Sequence, residues 1–380
     1  MPMESKALLK TATKKPRVHF HFIDGLRALA ALWVILFHSV IDPDKTISQF
    51  TNTLPKWFVY VVFEKGHLGV PIFFVISGFL IAHSLKNTQF NFAWFKNFVL
   101  RRLVRLSPTY YLSILATLAI GFIAAYAKSE EFAPLGYPLS VPRLIAHLFY
   151  LQDIFKLHHV NDVYWTLCLE VQSYLLFGIL FWLVQWIDSR WSTNRGRAFL
   201  FIPCAIIAAF YAIEIIRYEG RATIFLPVWY SFLLGIFAYW AWRKELKLLL
   251  FYFYVAILVF AGIVNSSLFA IASSIVAVLL LEVSRANRMG QLLNWQWLQS
   301  LGKISYSLYL THTPILGGVY WVVFKLFNHS VWSEFLALVL GVAISIIFAS
   351  LIWQIIEKPS IQWSKNLKVT KSSNTLLTTN

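Results

Sequence analysis

The chain has 380 residues, of which 58% are hydrophobic and 13% charged, a balance too apolar for a soluble domain. A formal net charge of +16 would suggest nucleic acid in a soluble protein, so the basic residues must first be set against membrane orientation. Both cysteines, Cys168 and Cys204, fall inside apolar runs, which excludes a disulfide framework or a cysteine metal cluster.

Residues 1–20 are polar and basic and are expected to form a disordered cytoplasmic tail. The stretch from Lys6 to Arg17 leads into the first apolar run without a small-residue cleavage site, so that run is expected to stay as an anchor. Ten runs approach the roughly 20 residues needed to cross a bilayer. They cover 22–41, 67–86, 107–127, 163–187, 198–217, 223–242, 247–264, 266–283, 304–326 and 333–356. Between the third and fourth, residues 128–162 contain Pro134, Pro138 and Pro142 and the short run LIAHLFYLQ, suited to an interfacial or re-entrant helix. No internal repeat is visible. The pattern predicts an all-α polytopic membrane protein, about ten transmembrane helices in one bundle over residues 21–357, with a second cytoplasmic tail at 358–380.

An inside N-terminus puts both ends in the cytoplasm and assigns 23 of the 33 Lys and Arg residues to cytoplasmic segments. Orientation, together with anionic inner-leaflet lipid or an anionic cytosolic ligand, therefore accounts for the charge, and no nucleic-acid partner is expected.

Ionisable residues inside spans are functional candidates. Arg27 and His38 lie eleven positions apart in FIDGLRALAALWVILFHS, about three helical turns and roughly 16 Å, hence on one stripe. At the start of the third span, FKNFVLRRLVRLSPTYYL carries Arg101, Arg102 and Arg105. The i, i+4 pair Arg101 and Arg105 shares a helix face and suits phosphate; a topological anchor is the competing reading. Glu170, seven residues into WTLCLE's span, is expected at the depth of His38, where a carboxylate could orient the imidazole for general-base work. An interhelical polar contact is the alternative. In LGKISYSLYLTHTPI, Ser305, Tyr306, Tyr309 and His312 recur along one side of a helix, with His312 nearer the midplane than His38. His67 and His83 lie at span ends, and His158 and His159 are expected to be solvated. HxxxH and HExxH spacings are lacking, so no metal is expected; P-loop and GxSxG motifs are lacking too.

Taken together, the Arg27-x10-His38 segment, GVPIFFVISGFLI at 69–81, RRLVRLSPTYYL at 101–112, WTLCLEVQSYLLF at 165–177, GKISYSLYLTHTPI at 302–315 and IIEKPS at 355–360 resemble the membrane-bound acyltransferase-3 family. The resemblance spans the whole membrane region. It implies a ten-helix inner-membrane O-acyltransferase that takes acyl groups, most often acetyl, from cytosolic acyl-CoA and places them on hydroxyls of a cell-surface carbohydrate. Under it, Arg27, His38 and Glu170 are the catalytic candidates and Arg101, Arg102 and Arg105 the donor-binding patch. Thr166 stands where the family has a serine, and Ser305, Tyr306, Tyr309 and His312 match its late motif. Val171 and Ser173 depart from the polar and aromatic residues often found after the acid, which bears on the acceptor pocket. Some relatives append an extracytoplasmic hydrolase-like domain; the segment after 356 is too short for one, so the enzyme is expected to act alone or with a separate protein. The rival class, a secondary transporter or flippase, should show paired Gly/Pro-broken helices in two halves, a symmetry this chain lacks. A receptor or scaffold would have no use for a basic patch aligned with an intramembrane histidine.

Overall fold

The computed structural model describes residues 19–41, 47–85, 92–192, 195–217 and 222–367, and every regular element among them is helical. The expected 1–20 tail lies outside the described residues up to position 18. Each of the ten apolar runs corresponds to one helix: α1 (His21–His38), α2 (Gly69–Ser84) and α3 (Phe92–Lys128), then, after the short amphipathic α4 (Val141–Leu148), α5 (Tyr164–Arg190) and α6 (Gly196–Ala212). α7 (Trp229–Trp242), α8 (Leu248–Val264), α9 (Leu268–Arg285), α10 (Gln296–Phe327) and α11 (Val331–Ile352) complete the set. Among the described residues, six helical stretches are long and apolar enough to cross a membrane, and three shorter apolar helices, Gly196–Ala212, Leu226–Trp242 and Leu248–Val264, accompany them. α10 is in neither group. Its 32 residues reach about 48 Å, but Ser305, Ser307, Thr311 and His312 dilute its apolar character.

Two boundaries differ from the sequence expectation for one reason: charge and polarity hide helix continuity from a hydropathy reading. α3 begins at Phe92, fifteen residues before the expected span, because FAWFKNFVLRRLVRL contains no breaker. α10 begins at Gln296, eight residues early. Likewise, residues expected to start the second tail form α12 (Lys358–Asn366), which continues α11 through the π turn Trp353–Glu357 and packs along α3. Positions 368–380 lie outside the described residues.

α2 and α7 approach so closely that side chains are forbidden between them. A Cβ added at Gly78 would stand 2.0 Å from the Phe232 carbonyl oxygen, and one at Gly235 would stand 1.9 Å from that of Val75. Small residues are how membrane helices gain backbone contact where no hydrophobic drive separates lipid from protein. Around this seam, α1 packs between α2 and α10, and α10 packs against α11.

The connection between α3 and α5 is held by Arg143, only 3% exposed. Its guanidinium donates to the carbonyls of His158 (2.7 Å), Tyr137 (2.6 Å), Pro138 (3.1 Å), Pro134 (2.9 Å) and His159. One rigid donor fork thus satisfies backbone acceptors from three parts of the loop. His147 extends the network: its Nδ1–H donates to the Arg143 carbonyl (2.8 Å), and its Nε2 accepts from the Val160 amide (3.1 Å). Contrary to the solvated loop expected there, His159 is buried and pairs with Asp153 at 2.8 Å, while His158 is exposed.

Burial pushes the His147 imidazole down to about 4. The unfolded loop, with an ordinary histidine near pH 6.5, binds more protons across that interval. Stability is therefore full above about pH 6.5 and is lost as pH falls toward 4. Hydrogen exchange at the Val160 amide should accelerate over this window, and His147→Gln should flatten the dependence.

Candidate active site

One cavity gathers polar side chains from five helices. With its mouth included it holds about 950 Å³ of atom-free space, lined by Arg27 of α1, Ser77 of α2, Arg102 and Arg105 of α3, Thr166, Glu170 and Tyr174 of α5, Ser305, Tyr306 and Tyr309 of α10, and Glu357 of the π turn. Val70, Phe73, Phe74 and Leu80 form its apolar wall. Three guanidinium groups against two carboxylates leave the cavity net positive.

Both carboxylates are held in place. Glu170 Oε1 accepts from Ser77 Oγ at 2.6 Å and from the Tyr174 hydroxyl. Glu357 Oε2 accepts from Ser307 Oγ at 2.5 Å and from the Ser307 amide at 3.2 Å. The Arg102 guanidinium lies 4.9 Å from the Tyr174 ring centre and 5.8 Å from that of Phe98, a cation–π seat that aims it without consuming its donors.

Arg101 points elsewhere. Its Nε donates to the Leu367 carbonyl at 2.8 Å, fastening the end of α12 to α3. The pair that shares the cavity is thus Arg102 and Arg105, i and i+3, rather than the i, i+4 pair of the sequence reading.

At the opposite end of the cavity, the Tyr309 hydroxyl lies 2.9 Å from Thr166 Oγ1. Beyond this bridge, the Tyr309 and His312 rings are 6.0 Å apart, and His312 Nε2 is 3.2 Å from His38 Nδ1. Three turns of α1 therefore connect an arginine end, around Arg27, with a histidine end. The backbone fixes the protons there. His312 Nδ1 faces the carbonyls of Leu308 (3.1 Å) and Tyr309 (2.8 Å), which only accept, so Nδ1 carries the proton and Nε2 is an acceptor. His38 Nδ1 faces that acceptor and the Val34 carbonyl at 2.9 Å, so it too is protonated. Among the described residues, the acceptor lone pair of the couple is left on His38 Nε2.

Two depth expectations change. His38 and His312 are in contact, not staggered, because α10 starts two turns early and His312 is sixteen residues into it. Glu170 sits on the cavity wall, where Ser77 and Tyr174 hold its carboxylate. The His38–Glu170 couple expected from sequence is replaced by His38–His312.

The family model described as an acyltransferase domain, that of acyltransferase-3, matches residues 20–354. The chain belongs to the acyltransferase-3 family. It is similar to the peptidoglycan O-acetyltransferase OatA of Listeria monocytogenes, with 29% identity over 48% of this chain and 27% of the relative. A putative O-acetyltransferase of Staphylococcus aureus is 24% identical over 89% of this chain and 56% of its own length. A putative peptidoglycan O-acetyltransferase of Bacillus subtilis is likewise 24% identical, over 89% and 54%. The chain spans about half the length, or less, of these curated relatives. No solved structure matches it.

Within this acyltransferase-3 chain, the cavity also recruits residues the motifs contained but did not single out. Ser77 lies in GVPIFFVISGFLI, Tyr174 one turn after Glu170, and Glu357 in IIEKPS. A lone serine, tyrosine or glutamate near a span end carries little signal; only packing reveals that the three converge.

Proposed function

We propose that this protein is a membrane O-acyltransferase that moves an acyl group, acetyl in the simplest case, from cytosolic acyl-CoA to a hydroxyl of an extracytoplasmic carbohydrate. The observation that carries this reading is the polar path through the bundle, from a net-positive cavity at Arg27, Arg102 and Arg105, past the Tyr309–Thr166 bridge, to the His38–His312 pair. Family membership and the relatives' names supply the reaction class. The arginines hold the donor's phosphates by charge-assisted bonds, and the thioester arm extends along the stripe of α1. His38 Nε2 removes the acceptor hydroxyl proton as that oxygen attacks the thioester carbonyl. The C–S bond breaks, and the released thiolate takes up a proton as free CoA. His312 acts through His38 by holding its tautomer.

The test is release of CoA from acetyl-CoA by purified protein in detergent, with and without glycan. Acceptor-stimulated release is the expected result. A protein that releases no CoA under either condition is not an acyltransferase, and the transporter reading then takes its place.

The reading also fixes sidedness, with the arginine end in the cytoplasm of a bacterial-type inner membrane. In a background with Cys168 and Cys204 changed to alanine, cysteine at Lys65 or Lys156 should react with an impermeant thiol reagent in intact cells. Cysteine at Lys96 or Arg288 should react only after the membrane is opened. Reaction at position 96 in intact cells would overturn cytosolic CoA as the ligand of the arginines.

A further inference from the structure

A second, wider pocket opens at the histidine end, on the connection between α3 and α5. It holds about 900 Å³ of atom-free space, mouth included, and its wall includes Tyr137, Asp153, Lys156, His159, Asp162 and Thr223. The walls are rigid for a loop. Arg143 ties the Tyr137 and His159 carbonyls to one guanidinium, and Asp153 is fixed by its bond to His159 Nε2 at 2.8 Å.

Three observations give this pocket an occupant. Asp153 is 3% exposed, and its Oδ2 is buried with no hydrogen-bond partner among the described residues. A buried carboxylate oxygen left unpaired is costly, so a side-chain turn that brings it to a hydroxyl donor of a ligand recovers that loss. Tyr137 presents a ring 45% exposed, backed by the His158 imidazole within 9° of parallel. A supported flat apolar face beside carboxylate acceptors suits a sugar ring, which offers C–H bonds on its face and hydroxyl donors at its edge. Finally, the pocket adjoins the chain segment that meets the helix carrying His312. Asp162 is on its wall, and the preceding Asn161 accepts from Thr313 Oγ1 at 2.7 Å, next in chain to His312.

We infer that this pocket holds a sugar unit of the acceptor, with Asp153 and Asp162 receiving its hydroxyl donors, Tyr137 stacking under its ring, and Lys156 donating to its ring substituents. The inference rests on the acyltransferase reading above and deepens it. The unit bound here is fixed by loop residues, so the hydroxyl delivered to His38 is selected by the distance between the pocket and Nε2.

The test uses the whole chain in detergent, acetyl-CoA as donor, and two acceptor probes, N-acetylglucosamine trisaccharide and a muropeptide digest of peptidoglycan. Asp153→Asn and Tyr137→Ala raise the acceptor KM about tenfold, while the KM for acetyl-CoA moves less than about twofold. Thr223→Trp, which fills the pocket from a lining residue outside the α3–α5 connection, raises it in the same way and guards against a loop merely loosened by the first two changes. Saturation-transfer NMR without acetyl-CoA reads the same site independently of chemistry: sugar-ring signals are present with the unaltered protein and lost in all three variants. Unchanged acceptor KM and NMR signals in the three variants would overturn the pocket assignment and leave the acyltransferase reading standing. No sugar signal from the unaltered protein with either probe would overturn it also. Sugar binding at the pocket without any CoA release would instead uphold the site and remove the reaction.

Discussion

His38→Ala is expected to lower kcat for acyl transfer by about 10²–10⁴, the range a positioned general base contributes. Insertion and folding should be near normal. His38 is partly exposed at the end of α1, and its ring contributes one shared proton to His312 and Val34 rather than to the packed core. His312→Ala should cost much less, about tenfold, because the Val34 carbonyl still selects the same His38 tautomer. His312→Gln should recover part of that loss, since its amide oxygen can accept from Nδ1. The measurement is CoA release with acceptor, on protein shown to be monodisperse. Transfer at the unaltered rate by His38→Ala would take His38 out of the mechanism. A His312→Ala loss as large as that of His38→Ala would show that the two histidines are not base and positioner.

The second large effect should come from the arginines, and it should split them. Arg102→Ala and Arg105→Ala are each expected to raise the KM for acyl-CoA by about ten- to a hundredfold, from loss of one charge-assisted phosphate contact, with a smaller change in kcat. Lysine at position 102 should restore little, since it offers neither the planar face that lies over Tyr174 nor a fork of donors. Arg101→Ala should move the donor KM less than either, because its guanidinium is engaged by Leu367. Added salt should weaken donor binding by the unaltered protein more than by the variants. Equal effects at 101, 102 and 105 would return the cluster to a general surface charge.

Much of this was legible in the residue pattern. Each of the ten helices announces itself as an apolar run, and the Arg27–His38 spacing already placed two ionisable groups on one stripe of α1. The failures share a physical origin. Hydropathy registers where a helix becomes apolar, not where it begins, so α3 and α10 were read as starting late and His312 was set too far from His38. The same reading attached Glu170 to His38 by depth alone, although a carboxylate binds whatever donors packing supplies, here Ser77 and Tyr174. Periodicity put Arg101 and Arg105 on one face, yet α12 claims Arg101, and a helix made of KPSIQWSKN gives no apolar signal that it will dock there. The buried Arg143, His147 and Asp153 network was invisible for a related reason: each residue looks like ordinary loop polarity until its partners are brought together.

The seam at Gly78 and Gly235 bears on timing. With two backbones in contact along α2 and α7, the wall that carries Phe73, Phe74 and Ser77 is a fixed stator, and neither helix can slide past the other to widen a channel. Between the cavity and the histidines stand the Tyr309 and Thr166 side chains, whose hydroxyls meet each other and the Val163 carbonyl. Side-chain rotation runs on picosecond to nanosecond scales when packing permits, against microseconds to milliseconds for helix displacement. An acyl group crossing this point would therefore meet a swinging door in a rigid frame, and turnover would be paced by chemistry or by release of CoA and product, not by a rocking of the bundle.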